Sequence, residues 1–353
     1  MTKPLSYAEA GVDLEAGDRA VELMKASIAL ASRKEMIGGI GGFAGLFDAS
    51  ALKNYRKPLL ATSTDGVGTK VEIARRMSDF STIGEDLVAM VVDDLVVCGA
   101  EPLFMTDYIA IGKVIPEKVA MIVAGIANGC RKAGTALIGG ETAEHPGLLE
   151  PDEFDLAGAA TGVVEEDLLL GAEKVASGDL VIAMTSSGLH ANGYSLVRHI
   201  IKVADWGLEL ELPEIGHTLG EELIIPTRIY ALDALALARD ESSMVHAMAH
   251  ITGGGLAANL ARAIPPGLYA TIDRSTWALP PIFRLLAEAG SLDQHELERT
   301  LNVGVGMVAV VDPAGADRAL RLLAERGQEA FVVGQIVSRE GLGGAALVGD
   351  YRN

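Results

Sequence analysis

The sequence predicts an α/β (α+β) protein of two domains. Its 353 residues suit two domains of ordinary size better than one. Short apolar runs typical of strands lead repeatedly into glycine-rich turns and then into apolar helical patterns. A charged stretch beginning at Glu165 interrupts this alternation. We therefore place the domain boundary near residue 169, with domains at 1–168 and 169–353.

Composition limits the partners that the chain can have. The net charge of −19 disfavours a nucleic-acid backbone or an anionic membrane as a partner. Cys98 and Cys130 lie in apolar helical patterns, which favours buried free thiols and a reducing compartment. We find no apolar signal core at the start of the sequence and no apolar run of spanning length. We therefore expect a soluble, cytoplasmic protein.

The first elements are a helix and a glycine-rich segment. Apolar spacing predicts a helix over 13–32, with Lys25 beside its apolar stripe. On general grounds Lys25 is a solvated surface lysine. The segment 38–45 includes Gly41 and Gly42 and has great backbone freedom. It is either a plain linker or a lid that closes over phosphates with its N–H groups.

The stretch 63–70 reads Ser-Thr-Asp-Gly-Val-Gly-Thr-Lys and follows an apolar run at 58–62 that predicts a strand. Asp65 in this turn can hold a divalent cation, and Lys70 can meet a phosphate charge. The glycines between them let backbone N–H groups approach an anion. An Asp–Gly turn after a strand is nevertheless often only a turn, so this signal needs support from the rest of the chain.

A second acid comes from the predicted helix 80–98. Apolar residues cover nearly its whole circumference, which predicts a buried helix. Asp94 shares a face with Leu87 and Val91, so we expect it to be buried and to need a cation or hydrogen-bond donors. Asp93 is expected to lie closer to solvent. A paired structural acid remains the alternative for Asp94.

Further polar groups follow strands in the first domain. A strand over 103–112 carries Asp107, and a strand over 135–138 leads into Gly140 and Glu141. The helix between these strands, opened by a proline and closed by a glycine, predicts an α/β layer with its chemistry at strand ends.

Two glycine-rich turns precede helices in the second domain. The strand 179–184 leads into a turn that is a possible anion site, with the candidate residues Ser187, Gly188, His190 and Asn192. His190 could donate or transfer a proton, although a lone loop histidine usually does neither. The second turn carries Thr252, Gly253 and Gly254 after the histidines at 246 and 250. We interpret both histidines as strand or core residues, because no Cys or third His stands near enough for a zinc site.

Taken in order, these motifs resemble the phosphoribosylformylglycinamidine cyclo-ligase family, also called aminoimidazole ribonucleotide synthetases. The similarity runs from residue 6 to beyond residue 307. The chain departs from the pattern at Asp93, where the family usually has Asn, and at His145, which replaces a usual Met. The matching stretches are 6–7, 10–12, 41–43, 64–70, 86–90, 94–95, 99–104, 139–144, 186–188, 190, 192–196, 249–255 and 304–307.

The resemblance implies an enzyme of purine biosynthesis that uses ATP and Mg²⁺ to close the imidazole ring of aminoimidazole ribonucleotide. It implies that Asp65 and Asp94 hold the metal, that Lys70 faces the triphosphate and that His190 assists the reaction. The implied ATP contacts are Lys25, Gly41, Gly42, Thr64, Gly66, Gly68, Thr69, Asp107, Gly140 and Glu141. The implied ribonucleotide contacts are Ser187, Gly188, Asn192, Thr252, Gly253 and Gly254.

The family architecture implies an N-terminal ATP-binding domain that forms a homodimer, and an active site in the cleft between the two domains. The partners would be small molecules, with neither nucleic acid nor membrane. Other enzymes of the same superfamily remain alternatives. Selenophosphate synthetase normally has a reactive Cys or selenocysteine near its N-terminus, and this chain has no Cys before Cys98. A non-catalytic nucleotide-binding protein would be expected to lack the acids Asp65 and Asp94.

Overall fold

The computed structural model describes residues 11–39, 41–341 and 343–352. Of the motif matched at 6–7 and 10–12, residues 6, 7 and 10 lie outside these ranges. In the described part of the chain, no helix combines the length and the hydropathy of a membrane-crossing segment. The first half contains α1 (Leu14–Leu30), β1 (Met36–Ile37), β2 (Leu46–Phe47), β3 (Pro58–Gly66), α2 (Val71–Met77), α3 (Ile83–Val96), β4 (Glu101–Ile111), α4 (Pro116–Ala133), β5 (Ala136–Glu144) and β6 (Phe154–Glu165).

The first half is built on a four-stranded sheet in the order β3-β6-β4-β5. Neighbouring strands are antiparallel except β4 and β5, which are parallel. β3 is longer than the predicted strand 58–62, because its pairing with β6 continues to Gly66. Asp65 is therefore a strand residue and not part of the turn that we predicted at 63–70.

Helices α3 and α4 cover one face of this sheet and pack closely on each other. A Cβ atom added to Gly84 would lie 2.3 Å from the backbone nitrogen of Ile126. One added to Gly125 would lie 2.9 Å from the carbonyl oxygen of Ser81. Helix α3 is almost wholly buried, as its apolar circumference predicts.

The opposite face of the sheet carries exposed side chains in the described structure. Leu60 is 64% exposed and Tyr108 is 40% exposed. The hydroxyl side chains of Thr62, Thr64 and Thr106 are also exposed there. An antiparallel sheet can keep one face in solvent, but such a face usually has few exposed large apolar side chains.

The second half contains a six-stranded sheet in the order β10-β12-β7-β13-β11-β14. Its strands are antiparallel to their neighbours except the β11–β14 pair. Its elements are β7 (Leu180–Thr185), α5 (Tyr194–Val203), β8 (Glu211–Leu212), β9 (His217–Thr218), α6 (Leu219–Ile224), α7 (Ala231–Arg239), β10 (Val245–His250), α8 (Gly255–Ala261), β11 (Leu268–Asp273), α9 (Pro281–Gly290), α10 (Gln294–Thr300), β12 (Val305–Val311), α11 (Ala316–Glu325), β13 (Ala330–Ser338) and β14 (Gly344–Val348).

The two halves share buried surface. The hydrophobic core around α3 and α4 continues into the second half through Met184, Tyr230, Leu235 and Met307. A separate core fills the rest of the second half. Along the sequence, the strands of the four-stranded sheet end at Glu165 and those of the six-stranded sheet begin at Leu180. The domain boundary near residue 169 stays a prediction.

A buried ion pair of the first half is hydrogen-bonded to the second half. Lys70 and Asp86 are both fully buried, and the Lys70 Nζ atom donates to Asp86 Oδ1 at 2.8 Å. The same ammonium donates to the carbonyl oxygens of His190 at 2.9 Å and Ile225 at 2.6 Å. Burial lowers the pKa of Lys70 and raises the pKa of Asp86, and their mutual attraction opposes both shifts.

This placement corrects the prediction that Lys70 faces the triphosphate. All three N–H donors of the Lys70 ammonium are used inside the protein. Asp86 also accepts from the backbone N–H of Thr227, so the pair connects the first half to two segments of the second. In this structure Lys70 therefore holds the two domains together through hydrogen bonds.

The predicted exposures of Asp93 and Asp94 are reversed. Asp93 is fully buried, and both of its oxygens accept the backbone N–H of Tyr230 at 3.1 Å. The side chain of Asp94 is 40% exposed. The helix pattern identified two faces correctly, but the Tyr230 segment covers the face that we expected to be nearer solvent. Burial raises the pKa of Asp93 to about 7.

We predict that Lys70→Met lowers the free energy of unfolding at pH 7 by about 3–5 kcal/mol, because it leaves Asp86 buried without its counter-charge. Guanidinium denaturation monitored by circular dichroism measures this change. Lys25→Met is the matched control, since Lys25 lies on the surface of α1 beside Glu22. A loss below about 1 kcal/mol, the size of an exposed pair, would contradict a structural role for Lys70.

We predict that Asp93→Asn stabilises the protein more at pH 8 than at pH 5. A carboxyl with a folded pKa of about 7, against 3.8 as its ordinary value, costs increasing stability as the pH rises between them. Asn stays neutral and keeps an acceptor for Tyr230. The gain at pH 8 should exceed that at pH 5 by roughly 1–3 kcal/mol. Thermal denaturation in EDTA tests this. Asp18→Asn, at an exposed position of α1, is the control substitution. An equal effect of Asp93→Asn at both pH values would contradict the prediction.

Candidate functional site

A cleft between the two halves brings two of the predicted motifs together. The end of β3 and the turn to Thr69 form one wall, and the turn before α5 with the start of that helix forms the other. The Thr69 and Ser195 hydroxyls meet across the cleft at 3.1 Å. We call this the interdomain cleft; its lining residues are Asp65, Gly66, Val67, Gly68, Thr69, Asp155, Leu156, Ala157, Ala191, Asn192, Gly193, Tyr194, Ser195, Leu196, Glu296 and Thr300.

The loop after β3 has the geometry of a tight backbone turn. Gly68 has a φ of +72°, a conformation that favours glycine. A Cβ atom at Gly66 would lie 2.9 Å from the carbonyl oxygen of Leu156. These two positions explain why the motif needs glycines, and they leave the loop's surface free of side-chain bulk.

Asp65 is half-buried at the rim of the interdomain cleft. Its Oδ1 atom accepts the backbone N–H of Gly66 at 2.7 Å. Burial raises the pKa of the Asp65 carboxyl, the Gly66 hydrogen bond opposes this, and the negative charge of Asp94 raises it further. Two carboxylates that repel each other in this way favour a bound cation.

Asp94 lies in a neighbouring depression with His250. The Oδ1 atom of Asp94 and the Nδ1 atom of His250 are 3.0 Å apart. The Nε2 atom of this ring is buried and has no hydrogen-bond partner in the described ranges. His250 is a buried strand residue at the end of β10, as predicted, but its contact with Asp94 was not predicted. The other lining residues of this depression include Thr62, Ser63, Cys98, Asn259 and Arg262.

The two acids fit a magnesium ion better than a metal held by protein alone. Across the described residues, no group of three or more His, Cys, Asp or Glu side chains could hold a metal. Mg²⁺ is commonly bound by one or two carboxylates, with substrate phosphates and water completing its shell. Asp65 and Asp94 supply hard oxygen ligands of this kind.

Asn192 is the clearest candidate for substrate contact among the predicted residues of the second half. It lines the interdomain cleft and donates from Nδ2 to the Met90 sulfur at 3.2 Å. A Cβ atom on Gly253 would lie 3.9 Å from Asn192 Oδ1, so the two predicted turns adjoin. The Asn259 side-chain amide donates to the carbonyl oxygens of Thr252 and Gly253 and holds that turn in place. Gly254 has a φ of +99° there.

The remaining residues of the first turn are used inside the protein. Ser187 donates from its hydroxyl to the Pro226 carbonyl, and the Gly188 carbonyl accepts from Asn302. His190 is only 1% exposed, and its Nε2 atom accepts the N–H of Ser187. Burial holds the pKa of His190 well below its usual range, so the ring is neutral. The prediction that His190 faces the reacting group is therefore wrong for this structure.

Asp107, Gly140 and Glu141 line a different cavity, of ≈ 230 Å³, inside the first half. Its other walls come mainly from apolar residues of α1, together with Val114, Val123 and Leu137. Burial raises the pKa of Asp107 to about 7. Asp107 is paired with Gly140 in the sheet, and a Cβ atom at Gly140 would lie 2.1 Å from the Asp107 carboxylate. These three residues therefore line one cavity, and Asp107 and Asp65 lie opposite the same residue, Gly158, on the two strands that flank β6.

Four predicted ATP contacts lie on the surface. Lys25 pairs with Glu22 on α1, which agrees with its general interpretation as a solvated lysine. Gly41 and Gly42 belong to the segment between β1 and β2, whose neighbour Phe43 is fully exposed. Thr64 points from the uncovered sheet face. Their roles in binding ATP stay predictions.

Sequence reasoning missed the residues that complete the cleft from distant elements. Ser195 faces Thr69, and Glu296 and Thr300 reach the cleft from α10. The position of Ser195 one residue into a helix after a glycine turn was an available signal. Nothing in the local pattern around residues 296–300 indicates a cleft.

Two family models match the chain. The model for the N-terminal domain of AIR synthase related protein matches residues 47–164, and the model for the C-terminal domain matches 176–345. A phosphoribosylformylglycinamidine cyclo-ligase from Geobacillus kaustophilus is 49% identical over 338 residues, covering 96% of this chain and 97% of that protein. The enzyme of the same name from Desulfitobacterium hafniense is 50% identical over 331 residues, covering 94% and 96%.

Solved structures with the same fold have much lower identity. The hydrogenase maturation protein HypE of E. coli superposes with a TM-score of 0.67 at 20% identity, covering 96% of this chain and 94% of that one. Thiamine-monophosphate kinase from Stenotrophomonas maltophilia gives a TM-score of 0.66 at 19% identity, covering 94% and 96%. A HypE structure in complex with ATP gives 0.62 at 16% identity, covering 91% and 86%. These similarities show the fold alone.

The full-length similarity at about half identity confirms the family that the motifs predicted, together with the two-domain α/β fold and the ligase class. The chain belongs to the phosphoribosylformylglycinamidine cyclo-ligase family.

Proposed function

We propose that the interdomain cleft is where this chain carries out its family's reaction, the ATP-dependent closure of the imidazole ring in purine biosynthesis. The γ-phosphoryl group passes from ATP to the amide oxygen of formylglycinamidine ribonucleotide. The amidine nitrogen then attacks the same carbon, and phosphate leaves. The products are ADP, phosphate and aminoimidazole ribonucleotide. The observation that carries this assignment is the position of Asp65 on the rim of the cleft beside the glycine turn, with Asp94 in the neighbouring depression near enough for its charge to raise the pKa of Asp65.

Phosphoryl transfer needs positioning and charge neutralisation more than covalent help from the protein. Asp65 and Asp94 would hold Mg²⁺, which when bound neutralises charge on the phosphates. The turn at Gly68 offers a backbone N–H group without side-chain bulk, and Thr69 adds a hydroxyl. Lys70 contributes by fixing this turn to the second half and not by touching phosphate.

The opposite wall would receive the ribonucleotide. Asn192 offers an amide that can donate and accept, and the turn at 252–254 adjoins it. Asn259 keeps that turn rigid through its hydrogen bonds to two carbonyl oxygens. A rigid pair of turns on one wall suits the orientation of the amidine toward the activated carbon.

We keep Asp107, Gly140 and Glu141 as proposed ATP contacts on the strength of their cavity. Its walls are mostly apolar and polar groups stand at one side, which suits the base of a nucleotide. HypE, which shares the fold, has been crystallised with ATP. We also propose a cytoplasmic location, supported by the free thiols of Cys98 and Cys130.

We predict that Asp65→Asn and Asp94→Asn each lower turnover by about 10²-fold or more, because each removes a negative ligand of the metal. The assay supplies ATP, Mg²⁺ and formylglycinamidine ribonucleotide and measures aminoimidazole ribonucleotide, ADP and phosphate. Circular dichroism should show both variants folded. Asp18→Asn, at an exposed position of α1, should keep full activity.

Near-normal turnover of either variant would remove that residue from the metal site. If the unaltered chain makes no aminoimidazole ribonucleotide where a known family enzyme is active, the assigned reaction is wrong. ADP release without ring closure would instead point to another phosphorylating enzyme of the same fold.

We further propose that the chain is a homodimer paired through the uncovered sheet face of its first half. The exposed Leu60 and Tyr108 support this, since a second copy of the face would cover both. We predict that Leu60→Lys converts a dimer into a monomer in light scattering after size-exclusion chromatography. Leu30→Lys, at a similarly exposed leucine of α1, should leave the dimer intact. A dimer that persists in Leu60→Lys would place the interface elsewhere.

A further inference from the structure

We propose that His250 is a positioning residue, which orients Asp94 for Mg²⁺ from across the domain interface. The proposal rests on the proposed function, in which Asp94 is a metal ligand. Asp94 belongs to α3 in the first half, and His250 ends β10 in the second. One hydrogen bond therefore connects a metal ligand to the other domain.

The direction of this hydrogen bond follows from the chemistry of the two groups. An ionised carboxylate only accepts, so the Nδ1–H of His250 donates to Asp94 Oδ1 over 3.0 Å. The second oxygen of Asp94 has no hydrogen bond within the described structure. It is left for the metal, and rotation of the carboxylate about its bond to Cβ is restricted.

The two partners differ in how firmly the fold holds them. The Asp94 side chain is 40% exposed, whereas that of His250 is 2% exposed. The backbone of His250 is paired with Met307 in β12, and the next N–H, of Ile251, donates to Gly306 at 2.9 Å. The buried ring is thus the fixed member of the pair, and the carboxylate takes its orientation from it.

Within the described ranges, Asp94 is the one hydrogen-bond partner of the His250 ring. Its Nε2 atom is buried and unpartnered in the part of the chain that the structure describes. A buried polar ring costs free energy unless it is hydrogen-bonded. The contact with Asp94 is therefore the interaction that explains a histidine at position 250.

Hydrogen bonds to metal-binding side chains commonly change metal affinity by about 10- to 100-fold. The hydrogen bond from His250 to Asp94 can form only when the two domains are docked. Loss of the His250 hydrogen bond should thus weaken metal binding while the core contacts remain, which gives a measurement separate from catalysis.

His250→Asn and His250→Gln form a matched pair for the test. Asn carries its NH₂ group near the position of Nδ1, so it can still donate to Asp94, whereas the Gln amide extends past that position. Mn²⁺ affinity would be measured by electron paramagnetic resonance with a non-hydrolysable ATP analogue. We expect Gln to weaken Mn²⁺ binding about 10- to 100-fold and Asn to change it little. The KM for Mg²⁺ should rise in the Gln variant more than kcat falls.

Thermal denaturation of both variants separates positioning from folding. Equal Mn²⁺ affinities of two folded variants would overturn the proposal. If the Gln variant does not fold, His250→Leu replaces it, because Leu fills the buried position without donating a hydrogen bond. An unchanged Mn²⁺ affinity in a folded Leu variant would also overturn the proposal.

Asp94→Asn distinguishes this proposal from the proposed function. If Asp94→Asn leaves Mn²⁺ affinity unchanged, Asp94 is not a ligand and the proposed metal site itself fails. If it weakens binding while His250→Gln does not, only the positioning role fails. When both weaken binding, the two changes combined should cost no more than Asp94→Asn alone, because they remove one interaction.

Discussion

The buried pair of Lys70 and Asp86 is the interaction on which the arrangement of the cleft depends. Neither charge could be buried alone, since an isolated ion in the interior costs several kcal/mol. The Lys70 ammonium also donates to the carbonyl oxygens of His190 and Ile225, and Asp86 accepts the N–H of Thr227, so the hydrogen bonds of the pair are complete only when the second domain is docked. Asp65 lies at the end of β3, and the turn that follows this strand ends at Lys70. Docking therefore fixes one end of the turn, while Asp65 at the other end stays at the rim of the cleft.

The acids of helix α3 have two kinds of role: Asp86 and Asp93 contact the second half, and Asp94 is the proposed metal ligand. Asp86 and Asp93 are seven residues apart, about two helical turns, and both accept backbone N–H groups from the segment 227–230. Asp94 is one residue further and is rotated by about 100° toward the depression that holds His250. Contact with the second half thus buries Asp86 and Asp93, whereas Asp94 stays partly exposed beside His250. The acid at position 93 serves as an acceptor, but burial makes its ionised form costly at high pH.

Local patterns predicted the parts of this molecule that local physics determines. The helix α4 begins at Pro116 and is followed by Gly134, as proline and glycine preferences require. The ordered motifs also predicted the family and hence the two-domain fold. The failures all involve contacts between distant segments. Periodicity could not show that residues near Tyr230 cover Asp93, and a lysine beside a glycine turn could not reveal partners 120 and 155 residues away.

The fold alone does not choose the chemistry of this site, since HypE and thiamine-monophosphate kinase share it at about 20% identity. The site of this chain is formed by the side chains that meet where its two halves dock. The Lys70 bridge provides stability at the interface, and the His250–Asp94 hydrogen bond, a few turns of α3 away, bears on the proposed metal. A substitution at the interface can therefore lower activity through either route. Measuring both metal affinity and the free energy of unfolding separates the two routes. Metal affinity responds to the orientation of the Asp94 carboxylate, whereas the free energy of unfolding responds to the whole interface between the domains.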